Sequence, residues 1–215
     1  GAHTTSDNCA VTTDISTASS GDFFELGTTT VTMTLTDENN QQTIHEFTIT
    51  VTDTEPPVII DMPASMTQSA ELGLCSASMT WTPPNTSDNC PGAALSSTHQ
   101  PGDSFPVGDT TVTYTSDDAN GLSTSSSFVI TINDTENPIF DSAPANIKLN
   151  TDPGSCDAIT TWAEPEVSDN CGSVPLLGGT HLSGSAFPLG ETTVTYTAED
   201  QHGNSSQHSF TVTIS

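Results

Sequence analysis

The stretch Phe105-Pro-Val-Gly-Asp-Thr-Thr-Val-Thr-Tyr-Thr115 decides the fold. After its Pro and Gly, apolar Val112 and Tyr114 alternate with Thr111, Thr113 and Thr115. Successive side chains of a strand point to opposite faces, so one face is apolar and the other carries hydroxyls. Phe187-Pro-Leu-Gly-Glu-Thr-Thr-Val-Thr-Tyr-Thr197 repeats the pattern, and Phe24-Glu-Leu-Gly27 with Val31-Thr-Met-Thr-Leu35 is a looser copy. An acidic turn and a second alternating run follow each: Phe47-Thr-Ile-Thr-Val51, Phe128-Val-Ile-Thr-Ile132 and Phe210-Thr-Val-Thr-Ile214. Gly and Pro break these runs at the spacing of short antiparallel strands, and no helical periodicity of useful length appears.

Working outward, the tripeptide Asp-Asn-Cys occurs three times, ending at Cys9, Cys90 and Cys171, with steps 90 − 9 = 81 and 171 − 90 = 81. Trp81 and Trp162, Cys75 and Cys156, and Asp53-Thr-Glu55 and Asp134-Thr-Glu136 recur at the same step. Such a period marks a tandem array. It divides the chain into a partial repeat over 1–53, lacking its first two strands, and complete repeats over 54–134 and 135–215. The expected fold class is all-β.

Twenty-seven acidic residues face a single basic one, Lys148, for a formal charge of −26. Phosphate recognition needs Lys or Arg, so nucleic acid and anionic membranes are excluded as partners of this segment, while divalent cations are attracted. No apolar run is long enough to span a bilayer. Because Gly1 falls inside a repeat, the lack of a signal peptide says nothing about export.

Each full copy reads Asp-Thr-Glu-(Pro/Asn)-Pro, then Trp, Ser-Asp-Asn-Cys, and Phe-Pro-x-Gly-x-Thr-Thr-Val-Thr-Tyr-Thr. This resembles the hyalin repeat (HYR) domain, an immunoglobulin-like module of extracellular and cell-surface proteins linked to adhesion. The resemblance covers the whole chain and implies tandem immunoglobulin-like β-sandwiches outside the cell. Copy 1 departs at Met33, where the others have Tyr, and at Asp37-Glu-Asn-Asn40; copy 2 has Gly121-Leu122 where the family has Gly-Asn.

Cys75 and Cys90 are 15 apart, as are Cys156 and Cys171. The expected pairs are Cys75–Cys90 and Cys156–Cys171, with Cys9 waiting for an absent upstream cysteine; the alternative is buried free thiols. Closing such a loop is worth about 3 kcal/mol on the chain-entropy model. Disulfides imply an oxidising compartment. If Cys75 and Cys90 begin successive strands, however, they start at opposite ends, and the segment from Pro83 to Asn89 has to fold back for them to meet.

In a sandwich of this kind the incoming linker, the second-to-third-strand loop and the last hairpin loop gather at one end. Acidic and amide residues occupy all three places: Asp53, Glu55, Asp88, Asn89, Asp117 and Asp118 in one full copy, and Asp134, Glu136, Asp169, Asn170, Glu199 and Asp200 in the other. Calcium takes six to eight hard oxygens, so these sets are expected to bind it and stiffen the joints. The bland alternative is solvated loop acids serving turns. Trp81, Trp162, Tyr114 and Tyr196 read as core packing, and His99 and His181 as surface residues. Asn85, Asn133 and Asn204 begin weak glycosylation acceptor motifs.

No nucleophile elbow, zinc-protease helix or phosphate loop is present, so no enzyme is expected. The sequence points to a segment of an extracellular fibre, filament or stalk, its partners further copies of the repeat or neighbouring chains. The alternatives are a cell-surface adhesin with a protein or glycan ligand, and a spacer of a secreted enzyme.

Overall fold

A computed structural model describes residues 11–215 other than 173 and 175. Cys9 and the start of the first repeat therefore lie outside the described residues. The chain forms two compact units. The first holds residues up to Val58 with 87–94 and 116–124; the second holds 59–86, 95–115 and 125–215.

All the regular structure is strand. The first repeat contributes β1 (Val11–Ser16), β2 (Gly27–Asp37) and β3 (Gln42–Val51), joined in that order as one antiparallel sheet. The second contributes β4 (Val58–Ile60), β5 (Met66–Ser69), β6 (Ser76–Ser78), β7 (Asn85–Ser87), β8 (Ala94–Ser97), β9 (Ser104–Pro106), β10 (Gly108–Asp117) and β11 (Ser123–Asn133). The third repeats the set as β12 (Ile139–Ser142), β13 (Ile147–Leu149), β14 (Asp157–Ile159), β15 (Glu166–Ser168), β16 (Leu176–Gly179), β17 (Ala186–Pro188), β18 (Gly190–Glu199) and β19 (Ser205–Ile214).

Each complete repeat is a β-sandwich. One side is a four-stranded sheet, ordered β5-β11-β10-β8 in the second repeat and β13-β19-β18-β16 in the third. The other side is built from two-stranded ribbons, β4-β7 with β6-β9 and β12-β15 with β14-β17. The alternating runs are the two long central strands. They pair without a slip from Gly190↔Ile214 to Glu199↔Ser205, which keeps Val194, Tyr196 and Ala198 on the inner face. One pairing departs from the antiparallel pattern: β5 lies parallel to β11 (Met66↔Ile130) and β13 parallel to β19 (Ile147↔Val212). Parallel neighbours need a crossover rather than a tight turn, and short-range turn signals do not reveal it.

The inner faces close over matching cores. Phe105, Val112, Phe128, Ile130 and Ile132 fill one, and Phe187, Val194, Phe210, Val212 and Ile214 the other. A tryptophan seals each. The Trp81 ring meets Phe105 and Phe128 at centroid distances of 6.1 and 5.4 Å, and Trp162 meets Phe187 and Phe210 at 5.8 and 5.2 Å. Each indole N–H donates to a phenol, Trp81 to Tyr114 at 2.8 Å and Trp162 to Tyr196 at 2.6 Å, so the polar ends of both rings are satisfied. His99 and His181 are less exposed than expected of surface residues: each ring packs 5.2 Å from Phe105 or Phe187. In the first repeat Phe47 is 42% exposed, against 4% for Phe128 and 2% for Phe210. Among the described residues that repeat has no counterpart of β5 and β6, whose Met66 and Ala77 pack into the core beside Phe128.

The disulfide differs from the expected pairing. Cys75 joins Cys171, in the next repeat, across a sequence separation of 96 and a Cα–Cα distance of 4.9 Å. Neither Cys75–Cys90 nor Cys156–Cys171 forms, and Cys90 and Cys156 are free thiols. The reason is geometric. Cys75 ends the turn after β5, whereas Cys90 follows β7 in the acidic loop. The short loop between them does not fold back; the turn is instead carried to the acidic loop of the following repeat.

Candidate functional site

The acids cluster around three short loops, and each loop ties its aspartate in the same way. In the linkers, Asp53 Oδ1 accepts the Glu55 N–H at 3.2 Å and Asp134 Oδ1 accepts the Glu136 N–H at 3.1 Å. Before the cysteines, Asp88 Oδ1 accepts the Cys90 N–H and Asp169 Oδ2 accepts the Cys171 N–H, both at 2.8 Å. In the last hairpins, Asp118 Oδ1 accepts from Asn120 and Leu122, and Asp200 Oδ1 from His202 and Asn204. These are Asx turns, in which an Asp side chain mimics a backbone turn.

Tying one oxygen aims the other inward. Asp88 Oδ2, Asp118 Oδ2, Asp169 Oδ1 and the amide oxygen of Asn170 are buried without any hydrogen-bond partner. A buried carboxylate oxygen left unpaired is costly, so its presence calls for a reason. Atoms of Asp53, Asp88 and Cys90 lie within 4.8 Å of one another, and so do atoms of Asp134, Asp200 and His202. Asn120 Nδ2 donates to Asp53 Oδ2 at 3.2 Å; at the matching place in the third repeat, His202 Nδ1 lies 3.1 Å from Asp134 Oδ2. Asn204 Nδ2 bridges the Asp134 carbonyl and Asp200 Oδ2, so its amide belongs to this cluster, and a glycan there would displace both contacts. Asn85 and Asn133 are exposed.

The fold therefore brings Asp53 and Asp88 together beside Cys90, whose thiol also feels the charge of Asp118, and Asp134 and Asp200 together beside His202. Asp117, Glu199, Glu55 and Asn89 are exposed instead. Strand alternation explains the first two: Asp117 and Glu199 are the last residues of β10 and β18 and point outward, while Asp118 and Asp200 begin the turn. Glu136 and Asn170 have a different task. Glu136 Oε1 accepts the Gly73 N–H at 2.6 Å, and Asn170 Nδ2 donates to the Leu74 carbonyl at 2.9 Å, beside the Cys75–Cys171 bond. Cys90 is expected in a disulfide rather than among the acids, and His202 is not among the expected site residues at all. Position in the repeat gave a signal for Cys90, which follows Asp88 by two; His202 stands where the other copy has Asn120, so the period hid it.

The local electrostatics favour charged carboxylates. The Asp53 acid is held below its usual range chiefly by the Glu55 N–H, then by a hydrogen bond with Cys90, against some cost of burial. Burial raises Asp200, but the Asn204 side chain and the N–H groups of Asn204, His202 and Gly203 outweigh it, and the net shift is downward. The Cys90 thiol is pushed up by its hydrogen bond to Asp53, by burial and by the charges of Asp53, Asp88 and Asp118.

The HYR domain model matches three times, over residues 2–51, 52–132 and 133–214. The chain belongs to the HYR domain family. It is 38% identical to hyalin of Strongylocentrotus purpuratus over 200 residues, 90% of this chain and 17% of hyalin, and 37% identical to hyalin of Lytechinus variegatus over 97% of this chain and 40% of that protein. A mouse sushi, von Willebrand factor type A, EGF and pentraxin domain-containing protein is 36% identical over 60% of this chain and 4% of its own length. The chain thus spans at most 40% of the length of these relatives. Among solved structures, protocadherin gammaB7 EC3-6 has a TM-score of 0.37 at 15% identity, covering 88% of this chain and 58% of its own, and human CDH23 EC21-23 a TM-score of 0.34 at 14% identity, covering 86% and 74%. As an HYR array, the segment is extracellular or cell-surface. No helix among the described residues is long and apolar enough to cross a membrane.

Proposed function

We propose that this HYR segment is a non-enzymatic structural stretch of an extracellular fibre, filament or stalk, stiffened by calcium bound in the acidic loops of each full repeat. The observation that carries this reading is the buried, unpartnered carboxylate oxygens of Asp88, Asp118 and Asp169, each on a side chain already anchored by a backbone N–H. A pre-oriented cage of hard oxygens suits Ca²⁺, with its flexible coordination at about 2.3–2.6 Å, better than ions that prefer nitrogen or sulfur. Asp53, Asp88 and Asp118 would supply the donors of one site, and Asp134, Asp169 and Asp200 those of the other. The ion would offset the mutual repulsion of the carboxylates and tie the linker to both loops. The same acids recur in each full repeat, as a structural role requires and a single catalytic cleft does not. Adhesive partners would be further copies of the repeat or neighbouring chains.

Thermal unfolding of EDTA-stripped protein with and without added calcium tests this. At a calcium concentration one hundred times the Kd, stabilisation of about 2.7 kcal/mol is expected per site, with Asp118→Asn and Asp200→Asn each weakening the shift. An unchanged melting temperature across millimolar calcium rejects the calcium reading. Electron microscopy of the native material checks the rest: uniform filaments or rods support a structural role, and isolated rods capped by a ligand-binding domain favour an adhesin.

A further inference from the structure

The Cys75–Cys171 bond is one part of a plug and socket. The plug is the Gly73-Leu74-Cys75 turn of the second repeat. The socket is Glu136, Asn170 and Cys171 of the third, which receive the Gly73 N–H, the Leu74 carbonyl and the Cys75 sulfur respectively.

Both halves occur again in the chain without their mates. The 81-residue step carries Gly73 and Cys75 onto Gly154 and Cys156. The backbone there is the same: Gly73 and Gly154 both have positive φ (73° and 84°), Val107 N–H bonds the Cys75 carbonyl at 3.1 Å, and Leu189 N–H bonds the Cys156 carbonyl at 3.2 Å. Cys156 is a free, exposed thiol. The same step carries Glu136, Asn170 and Cys171 back onto Glu55, Asn89 and Cys90. Cys90 keeps the Asx turn of Cys171, its N–H on Asp88 as that of Cys171 is on Asp169. Glu55 and Asn89 are exposed, whereas Glu136 and Asn170, engaged by a plug, are partly covered.

We propose that Gly154-Ser155-Cys156 is a second plug and that Glu55, Asn89 and Cys90 form a second socket, each completed through a disulfide by another copy of this repeat. Cys156 bonds an Asp-Asn-Cys cysteine, and Cys90 bonds a cysteine equivalent to Cys75. Each bond takes two thiols to one S–S, and the two electrons and two protons pass to a disulfide oxidant, which leaves as a dithiol. Successive repeats are thus clamped covalently. The inference deepens the structural role proposed above and rests on it.

Peptide mapping of the native protein, alkylated before reduction, tests the scheme. The expected result is a Cys75–Cys171 crosslink, no alkylation of Cys90 or Cys156, and crosslinks joining Cys156 to an Asp-Asn-Cys peptide and Cys90 to a peptide equivalent to that of Cys75. Cys75–Cys90 or Cys156–Cys171 crosslinks overturn it, as do Cys90 and Cys156 alkylated without reduction. Non-reducing electrophoresis locates the partner copy. A ladder that collapses on reduction places it in a second chain, and an unchanged mass places it in the same polypeptide; both support the link. Free thiols in material that microscopy shows to be filamentous overturn the covalent clamp alone, whereas non-filamentous material with the crosslinks present counts against the fibre reading alone.

Discussion

Removing the inter-repeat bond gives a stability change whose size follows from its place in the fold. The loop it closes has a separation of 96 residues. The chain-entropy relation, about 2.1 + 1.5R ln n cal/mol/K, gives about 4.7 kcal/mol at 25 °C when both full repeats unfold together. If the third repeat unfolds alone, the second still holds Cys75 in place, and only the segment after Asp134 is closed, 171 − 134 = 37 residues. The same relation then gives about 3.8 kcal/mol. Replacing Cys75 and Cys171 together by Ala should therefore cost about 4 kcal/mol, read by guanidinium unfolding followed through tryptophan fluorescence. In residues 1–215 studied by themselves as a monomer, with no other copy to bond Cys90, Cys90→Ala should be nearly neutral, since Cys90 is free there. Pairing within repeats demands the opposite, with Cys90→Ala costing as much as Cys75→Ala. That result, or a double-variant cost below about 1 kcal/mol, would refute the reasoning.

Other measurements address the core and its ionisation. Tyr196→Phe should cost about 1–3 kcal/mol by leaving the Trp162 N–H without its acceptor, and Tyr114→Phe should cost a similar amount through Trp81; unfolding curves check both. Phe187→Ala should cost about 3–5 kcal/mol, because the ring is fully buried between Trp162 and His181, and a cost below about 1 kcal/mol would mean the core is misassigned. The Tyr196 phenol is raised by burial, opposed by the Trp162 hydrogen bond and reinforced by Glu164. Because the folded value is raised, its contribution to stability is complete below the unfolded value of about 10 and is lost as pH climbs through the folded one. With Tyr114→Phe leaving Tyr196 as the sole tyrosine, absorbance at the phenolate band should show a midpoint above about 10; a midpoint at or below that value contradicts the burial.

Much of the fold was legible because its signals are local. Val112-Thr-Tyr-Thr115 shows its buried face in its own alternation, and the repeat, one residue longer at this point (194 − 112 = 82), carries that reading to Val194-Thr-Tyr-Thr197. The candidate site was legible by half. Asp88 and Asp118 were found from their loops, but Asp117 and Glu199 belong to the outer face, and strand phase at a hairpin end is set by where the turn begins. His202 was missed because it replaces Asn120, and a repeat comparison weighs what recurs.

The sequence by itself determined the class of fold, the repeat and its strand faces, and the acidic surface, since each depends on neighbours along the chain or on composition. Only the tertiary structure decided which cysteine meets which, that β5 runs parallel to β11, and which carboxylate oxygens are buried without a partner. These depend on residues brought together from distant places, and an equal spacing of 15 residues says nothing about whether two sulfurs point toward each other or toward the next repeat.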